Sequence, residues 1–522
     1  MAASANHAVN GTTGNGERPE ARRDHVIIFP FMAKGHMLPL LHFATILSVH
    51  HKGLRVTVLT TPASLSFVRS RLPDSVHLVR LPFPSLPPLP AGVESTDALP
   101  SPSLYPTFLR ATTLLREPFA QFMASVPSPP LVLVSDFFLG FTHGVAADAG
   151  VRRVVFHGMS CFSTAICKSL FANLPSVGVE HGGAAFHVSG MPEHVTITAA
   201  EIPSTFEKMG DLDDPVTQFL INDVGLSDVR SWGILVNSFV AIDDDYVAPV
   251  ESFYEHGARA WLVGPLLPLA GDTPEPDKEN DPEGCLAWLD ERAARPAAVV
   301  YVSFGTQAHV ADEQLDELAH GLVRSGHPFL WAVRSDKWSP PVDLGPDGRV
   351  VRGWVPQRGV LAHEAVGGFV SHCGWNSALE SLAAGKPVLA WPMIAEQQLN
   401  AKHVVDMVGT GVRVGSGGAA VVGRAEVEEK VRTLMDAGGE AGQRMRARAA
   451  WARQAARSAV GDGGTSRVAL QKLIEELQKS YEVADACSRA PCTLTDRGIR
   501  AYTTVWVRCM KSEILCTKDM IL

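Results

Sequence analysis

The chain has 522 residues, 46% of them apolar, and carries a formal net charge of −9 at pH 7. A single hydrophobic core rarely serves more than about 300 residues, so this length predicts a globular protein of two or more domains. The acidic balance argues against non-specific binding to nucleic acid, and no nucleic-acid partner is expected.

Cysteine usage and hydropathy exclude further classes. The eight cysteines include no CxxC pair, so neither a zinc site nor a disulfide framework is predicted, and we interpret Cys373 as a small buried residue. Residues 1–23 are polar and lack the apolar segment of a signal peptide, which predicts a disordered extension. No window approaches the roughly 20 apolar residues of a membrane span. We therefore expect no membrane span. We also expect a monomer.

The first ordered segment is predicted to begin at Asp24. Residues 25–31 form an apolar run typical of a buried strand, residues 37–49 a helix, and residues 54–59 a second strand. Strand, helix and strand in so short a stretch form a βαβ unit, which implies a parallel sheet with right-handed crossovers.

The alternation continues to the end of a first domain, residues 24–264. Residues 129–135 and 151–157 are further strands, and residues 232–238 are predicted to be the last strand of this domain. Between residues 171 and 214 the periodicity fades, which predicts loops and short helices.

A second domain follows a linker. Residues 265–284 are rich in Gly, Pro and acidic residues, which is typical of an interdomain linker. The pattern then starts again, with a strand at residues 297–303, a helix at 311–325 and a strand at 329–333. With the second domain placed at residues 285–479, we predict an α/β fold of two tandem, doubly wound parallel-sheet domains. Such domains bind ligands at the carboxyl ends of their strands.

The most informative stretch is residues 354–397, which contain a strand that feeds a helix. Gly374 turns the chain after the strand, and Asn376 or Ser377 is predicted to cap a helix that ends at Gly385. A helix N-terminus suits a phosphate because its N–H groups are free and its dipole is positive there.

Spacing on this helix predicts a nucleotide site. Asn376, Ser377 and Glu380 share one face because they are three or four residues apart. Ser377 and His372 are predicted to meet phosphate oxygens, while Glu380, one turn deeper, accepts hydrogen bonds from ribose hydroxyls.

Residues 354–397 resemble the carboxy-terminal signature box of the plant UDP-dependent glycosyltransferases that act on small molecules. The pattern runs without a gap from W-x-P-Q through H-C-G-W-N-S and G-x-P to a terminal acidic residue and Gln. The resemblance covers residues 24–477 and implies the GT-B fold, in which two Rossmann-like domains face each other across a cleft. In this fold the final helix crosses back toward the first domain. Animal relatives typically carry a C-terminal membrane anchor. Because no membrane span is predicted here, we expect a cytoplasmic protein.

The resemblance implies roles for the residues of this box. Trp354 stacks on uracil, Val355 holds the edge of the base through backbone groups, and the ribose is contacted by Gln357 and Glu380. The diphosphate is contacted by His372, Asn376 and Ser377. The sugar is contacted by Trp375, Glu396 and Gln397. A terminal Gln accompanies glucose in this family, so UDP-glucose is the expected donor.

The chemistry requires a base for the acceptor hydroxyl, and histidine is the natural base near neutral pH. His36 follows the first strand and Asp136 ends a later one, so both are predicted to project from strand carboxyl ends. Residues 31–37 resemble the catalytic-His loop of the family and residues 134–138 its Asp strand. This resemblance makes His36 the general base and Asp136 the carboxylate that orients it.

The donor side is predicted to need no metal and no cofactor. The loop Ser303-Phe304-Gly305-Thr306 resembles the second diphosphate contact of the family, which adds Ser303 and Thr306 to the predicted site. Fixed hydrogen-bond donors then neutralise the leaving UDP, and direct displacement inverts an α-linked donor to a β-glycoside. Asp243-Asp244-Asp245 resembles the acidic motif of metal-dependent glycosyltransferases, but its position at a predicted helix start favours a structural role.

The acceptor is predicted to be small and lipophilic or phenolic. Its pocket is expected around five apolar side chains of the first domain, which are Phe137, Phe138, Phe141, Met159 and Phe162.

Two other functions remain open from the sequence. A UDP-sugar epimerase or hydrolase would share the UDP contacts without needing an apolar acceptor pocket or the pair of His36 and Asp136. An inactive UDP-sugar-binding protein would be expected to have lost the base.

The final residues fall outside the family pattern. Residues 480–522 contain four of the cysteines and little periodicity, and we expect a flexible tail that transfer activity does not need.

Overall fold

The computed structural model describes residues 24–173, 184–209, 211–268, 281–335, 337–415 and 421–489. The chain divides after Ile474 into two compact units. The first contains all the strands described below, and the second, from Glu475, is helical over its described part.

The strands of the described residues are β1 (His25–Phe29), β2 (Arg55–Thr60), β3 (His77–Arg80), β4 (Val132–Asp136), β5 (Arg153–His157), β6 (Phe186–His187), β7 (Thr196–Ile197), β8 (Gly233–Val236), β9 (Arg259–Leu262), β10 (Val299–Ser303), β11 (Phe329–Ala332), β12 (Gly348–Val351), β13 (Val366–Ser371), β14 (Val388–Ala390) and β15 (Gly411–Arg413).

The helices of the described residues are α1 (Lys34–His50), α2 (Leu65–Arg69), α3 (Tyr105–Thr113), α4 (Arg116–Ser125), α5 (Phe141–Asp148), α6 (Cys161–Ala172), α7 (Thr205–Lys208), α8 (Pro215–Phe219), α9 (Leu226–Val229), α10 (Val240–Asp243), α11 (Val247–Glu251), α12 (Cys285–Asp290), α13 (Asp312–Ser325), α14 (Gln357–Ala362), α15 (Trp375–Ala384), α16 (Gln397–Lys402), α17 (Arg424–Met435), α18 (Glu440–Val460) and α19 (Thr465–Arg489).

Seven strands form the first parallel sheet, in the order β3-β2-β1-β4-β5-β8-β9. Strands β1 and β4 are neighbours, and Phe29 at the end of β1 is in register with Ser135. The loop that follows β1 and the residue that ends β4 therefore meet at one edge of the sheet. This register explains how His36 and Asp136, which are 100 residues apart, come together.

Six strands form the second parallel sheet, in the order β12-β11-β10-β13-β14-β15. Ser303, which ends β10, is in register with Ser371, which ends β13. The loops that follow these two strands therefore lie side by side, and they contain the residues predicted to contact the diphosphate. Both sheets are parallel and flanked by helices, which confirms the predicted α/β class.

Each sheet is buried beneath helices. Phe29, Phe108 and Phe119 are fully buried on the first sheet, and Trp331 and Leu322 on the second. Their strands are apolar on both faces because helices cover both sides of a doubly wound sheet.

Several strand predictions were wrong or incomplete. Residues 232–238 were expected to be the last strand of the first domain, but β9 follows and pairs with β8 in parallel. Strands β3, β12, β14 and β15 were not predicted, because each has only three or four residues and three of them contain Arg. So short a run gives little periodicity from which to predict a strand.

Helix α15 begins earlier than predicted. Its N-cap is Gly374, so Asn376 and Ser377 lie within the first turn and do not cap the helix. Gly385 ends it in the left-handed conformation, with a φ of 70°, as the sequence indicates.

Predictions for the ends of the chain are tested only in part. Helix α19 continues to Arg489, beyond the predicted change to a flexible tail at residue 480. Residues 1–23, residues 490–522 and most of the predicted linker, residues 269–280, lie outside the described residues. Over the part of the chain that the structure describes, no helix combines the length and hydropathy that a membrane crossing requires.

Candidate active site

The centre of the site is a hydrogen bond of 2.7 Å between His36 Nδ1 and Asp136 Oδ2. His36 lies in the first turn of α1, and Asp136 is the fully buried last residue of β4. The carboxylate accepts at Nδ1, so the neutral ring carries its proton there and Nε2 is the basic nitrogen. The imidazole remains 24% exposed, which leaves it accessible from the cleft.

The environment of His36 favours a stronger base than an ordinary histidine. Burial lowers the pKa of His36, but the charge and hydrogen bond of Asp136 outweigh that effect and raise the pKa above its usual 6.5. Glu396 and Asp97 contribute in the same direction. The geometry and the pKa shift therefore suit proton abstraction near neutral pH.

Asp136 is held by contacts that sequence reasoning did not identify. Its second carboxylate oxygen, Oδ1, accepts from the backbone N–H of Phe138 at 3.0 Å. Arg153, a buried residue at the start of β5, donates to the Asp136 carbonyl at 3.0 Å and to Ser135 Oγ at 2.8 Å. A charged residue at the start of an apolar strand gives no sequence signal of this role.

Aromatic rings surround His36. The ring centroids of Phe31 and Phe138 each lie 5.6 Å from that of His36, and Phe137 packs on Phe138 at 4.2 Å. Phe137 and Phe138 are half-buried, so they provide an apolar wall next to the base.

Two of the five predicted acceptor residues belong to the core. Phe162 is fully buried and stacks on His403 at 4.8 Å. Phe141 packs against Phe29 and Phe119 beneath the first sheet. Both follow strands in apolar segments, where a core side chain and a pocket side chain have the same sequence pattern.

Ser377 and Glu380 lie on one face of α15, as their spacing predicts, and Gln357 joins them in one hydrogen-bonded group. Gln357 Nε2 donates to Ser377 Oγ at 2.9 Å and to Glu380 Oε2 at 2.6 Å. Tyr301 OH donates to Gln357 Oε1 at 3.1 Å and thereby fixes which end of the amide faces the helix. Tyr301 was not identified from the sequence because it lies inside strand β10.

The predicted base contacts lie at the start of α14. Trp354 is 42% exposed, which leaves a ring face open for stacking. Val355 is buried, and its carbonyl already accepts from the Gln357 N–H at 2.8 Å. The Arg71 guanidinium of the first domain lies 5.8 Å from the Trp354 ring.

His372 sits between two glycines of the diphosphate loops. A Cβ atom on Gly305 would lie 2.6 Å from His372 Nε2, and one on Gly374 would lie 2.5 Å from it. Burial lowers the pKa of His372 to about 4, so the ring is neutral near pH 7. It therefore offers phosphate a neutral hydrogen bond rather than a charge.

Ser303 and Thr306 occupy the other diphosphate loop. Ser303 is buried and its Oγ accepts weakly from the Gly305 N–H at 3.4 Å, whereas Thr306 is exposed. Gly305 has a φ of 75°, a conformation that glycine adopts without strain.

Asn376 connects the two halves of the site. Its Nδ2 donates to the carbonyl of Gly35 at 2.6 Å, within one residue of His36. In the described structure the first domain therefore uses one of the two N–H groups of this amide, which leaves at most the other for the predicted diphosphate contact. Gln307, which follows the other diphosphate loop, makes a second bridge by donating to Thr96 Oγ1 at 3.0 Å.

The Trp375 side chain, for which the sequence predicts a contact with the sugar, is packed inside the protein. It is buried, and its Nε1 donates to the Asn237 carbonyl at 2.7 Å while the ring stacks on His403. Because α15 starts at this residue, the ring points into the packing between the two sheets. Only the backbone of Trp375 remains for ligand contact.

Gln397 is more constrained than the sequence indicates. Its Oε1 accepts from the N–H groups of Met393 at 2.9 Å and Ile394 at 3.0 Å. Both lone pairs of this oxygen are then used, so the amide can donate to sugar hydroxyls but not accept from them. Glu396 is partly exposed, and its Oε1 accepts from Asn400 Nδ2 at 3.0 Å.

The acidic run Asp243-Asp244-Asp245 has a structural role at its first residue. Asp243 is fully buried and accepts from the N–H groups of Cys161 at 2.8 Å and Phe162 at 3.2 Å, which caps helix α6. Asp243 ends the short helix α10 and is also the N-cap of the 3-10 helix Asp244–Tyr246, so the acidic run lies at a helix start as predicted. Among the described residues, no three His, Cys, Asp or Glu side chains are grouped so as to hold a metal ion.

Comparisons with known proteins cover almost the whole chain. A family model described as "Glycosyltransferase, N-terminal domain" matches residues 24–268, and one described as "UDP-glucoronosyl and UDP-glucosyl transferase" matches residues 265–437. Scopoletin glucosyltransferase of Nicotiana tabacum is 34% identical over 87% of this chain and 98% of its own. A flavonol 3-O-glucosyltransferase of Arabidopsis thaliana is 36% identical over 87% and 96%. The structure of Medicago truncatula UGT71G1 complexed with UDP-glucose has a TM-score of 0.74 at 29% identity, over 87% and 98% of the two chains.

Proposed function

Because the chain belongs to the plant UDP-glycosyltransferases, a family of enzymes with the GT-B fold, we propose that it transfers glucose from UDP-glucose to a small phenolic or lipophilic acceptor. The predicted family, fold and enzyme class are thereby confirmed. The observation that carries the proposal is the pairing of His36 with Asp136 at 2.7 Å, one residue from the contact of Gly35 with Asn376 on the nucleotide helix.

The proposed acceptor rests on the surroundings of His36. Half-buried Phe137 and Phe138 lie beside the base and suit an aromatic or aliphatic acceptor. Relatives named for scopoletin, flavonol and anthocyanin acceptors support the same chemical class.

The proposed step is a single displacement at the anomeric carbon. His36 Nε2 takes the proton of the acceptor hydroxyl as its oxygen forms a bond to C1 of the sugar. The bond from C1 to the β-phosphate oxygen breaks, and its electron pair leaves with UDP. Attack opposite the leaving group inverts an α-linked donor to a β-glycoside.

Backbone groups at two loops support departure of UDP. Gly305 and Gly374 leave room for close approach around His372, and the free N–H groups of the first turn of α15 lie beside them. Oriented dipoles of this kind stabilise charge that develops on the leaving phosphate.

Product analysis tests the proposal. The protein is incubated with UDP-glucose and a panel of coumarins, flavonols and simple phenols, and the products are identified by mass spectrometry. We expect the mass of a hexosyl adduct on at least one acceptor and a β-linkage by NMR. An α-linked product would contradict the displacement, and failure of every acceptor would contradict the acceptor class.

Donor competition gives a further prediction. We expect UDP-glucose to be preferred when it competes with equal concentrations of UDP-galactose, UDP-xylose and UDP-glucuronate, because we propose that the Gln397 amide and the Glu396 carboxylate contact the sugar hydroxyls. One hydrogen bond contributes about 0.5–1.5 kcal/mol, so each one that a competing sugar cannot form should favour UDP-glucose by about 2–10-fold. A preference for any of the other three donors would contradict the assignment.

The pH dependence of transfer should respond to Asp136→Asn. Burial lowers the His36 pKa and the Asp136 charge more than compensates, so the wild-type pKa lies above 6.5. Only the unprotonated ring acts as a base, so kcat/KM should fall as the pH drops through this raised pKa. Removing the charge lowers the pKa, and the acidic limb should move to lower pH while the plateau rate decreases. An unmoved limb would show that His36 does not titrate in this profile.

A further inference from the structure

Asn400 joins three parts of the molecule through one buried amide. It lies on α16, three residues after Gln397, and its side chain is fully buried. Its Oδ1 accepts from Ser163 Oγ at 2.7 Å, and its Nδ2 donates to the Cys373 carbonyl and to Glu396 Oε1, each at 3.0 Å. We propose that Asn400 is a positioning residue for sugar transfer, which orients the Glu396 carboxylate and the Cys373–Gly374 peptide. The inference rests on the proposed contact of Glu396 with the sugar.

The contact with Glu396 limits where that carboxylate can point. One oxygen, Oε1, is held by Asn400, so the other is left to accept from a sugar hydroxyl. A partly exposed carboxylate without such a donor would be free to turn among rotamers. The Asn400 bond therefore selects one orientation of Glu396 before the donor arrives.

The contact with Cys373 acts on the start of the nucleotide helix. Cys373 has a φ of 60°, an uncommon conformation for a residue with a side chain, and Gly374 follows as the N-cap of α15. In a trans peptide the C=O and the following N–H point in opposite directions. Because Asn400 holds the Cys373 carbonyl, the Gly374 N–H is directed away from Asn400.

The first domain fixes which end of the amide faces the site. Ser160 Oγ donates to Ser163 Oγ at 3.2 Å, so the Ser163 hydroxyl directs its own proton to Asn400 Oδ1. With the oxygen of the amide held on that side, Nδ2 must face Cys373 and Glu396. Through this chain of hydrogen bonds, helix α6 of the first domain orients the Asn400 amide at the proposed UDP-sugar site of the second domain.

The test is a double-mutant cycle between Asn400→Leu and Glu396→Ala, with kcat/KM for UDP-glucose and the Kd for uridine as readouts. Loss of a hydrogen bond to a charged group predicts that Asn400→Leu lowers kcat/KM by about 10–100-fold. Uridine binding should change by less than about twofold, because the base and ribose contacts are made elsewhere. In the Glu396→Ala background, the effect of Asn400→Leu should shrink to the part that acts through the Cys373–Gly374 peptide.

Control variants and outcomes make the inference falsifiable. Asn173→Leu removes an amide of the same size at the other end of α6 and should stay within about twofold of wild type. If Asn400→Leu fails to fold, Asn400→Ser replaces it in the same cycle. Effects that multiply would overturn the orientation of Glu396 by Asn400, and an equal loss of uridine binding would overturn the positioning role as a whole. Either result leaves the proposed function intact. A Glu396→Ala variant with normal transfer would overturn the proposed sugar contact and this inference together.

Discussion

We expect His36→Ala to lower kcat/KM for transfer by about 10²–10⁴-fold, the usual cost of removing a general base. The affinity for UDP should stay within about twofold of wild type. The physical reason is that His36 pairs with Asp136 in the first domain, whereas the predicted nucleoside contacts group around Gln357 and Glu380 in the second. Transfer rates and calorimetric UDP binding measure the two effects separately.

His77→Ala is the matched control for this variant. His77 is exposed on strand β3 of the same sheet, so the same change in composition should leave transfer unaffected. If His36→Ala retains near-wild-type turnover on several acceptors, the proposed base is wrong. Equal losses of transfer and UDP affinity would instead show that the substitution disturbs the cleft as a whole.

The second large effect is expected at Glu380. Its carboxylate accepts from Gln357 at 2.6 Å and is predicted to accept from ribose hydroxyls as well. Hydrogen bonds to a charged group contribute about 1.5–3 kcal/mol, so Glu380→Ala should weaken UDP binding by about 10–100-fold. Calorimetry with UDP and with 2′,3′-dideoxy-UDP separates this role from a general loss of structure.

The comparison between these two nucleotides is decisive. Wild type should bind the dideoxy nucleotide much more weakly than UDP, and Glu380→Ala should discriminate between the two less strongly than wild type, with Gln357 as the remaining ribose contact. Glu428→Ala removes a partly exposed carboxylate that pairs with Arg432 at 2.6 Å, and should change neither affinity. A discrimination in Glu380→Ala as large as that of wild type would show that Glu380 does not contact the ribose.

The sequence predicts the parts of this molecule that depend on long or periodic patterns. The apolar runs that form β1, β4 and β10 are predicted to within about three residues, because buried parallel strands are apolar on both faces. Spacing along one helix also places Ser377 and Glu380 on the same face of α15. These features are local, so the chain alone contains them.

Other features depend on where distant segments meet. The direction of the Trp375 ring follows from the carbonyl of Asn237, which lies 138 residues earlier. The double use of Gln397 Oε1 follows from the turn at Met393 and Ile394, whose free N–H groups no pattern displays. Arg153 likewise supports Asp136 from a neighbouring strand. Such contacts are set by tertiary packing and become visible only in the fold.

Release of UDP from UDP-glucose, measured with and without a phenolic acceptor, tests the central claim most directly. We predict that the release of UDP depends on the acceptor and equals the amount of glycoside formed, because the acceptor hydroxyl must pass its proton to His36 during transfer. Equal release without acceptor would indicate a hydrolase, and conversion of the sugar without release of UDP would indicate an epimerase. Binding of UDP-glucose with no turnover on any acceptor would contradict the proposed transfer reaction.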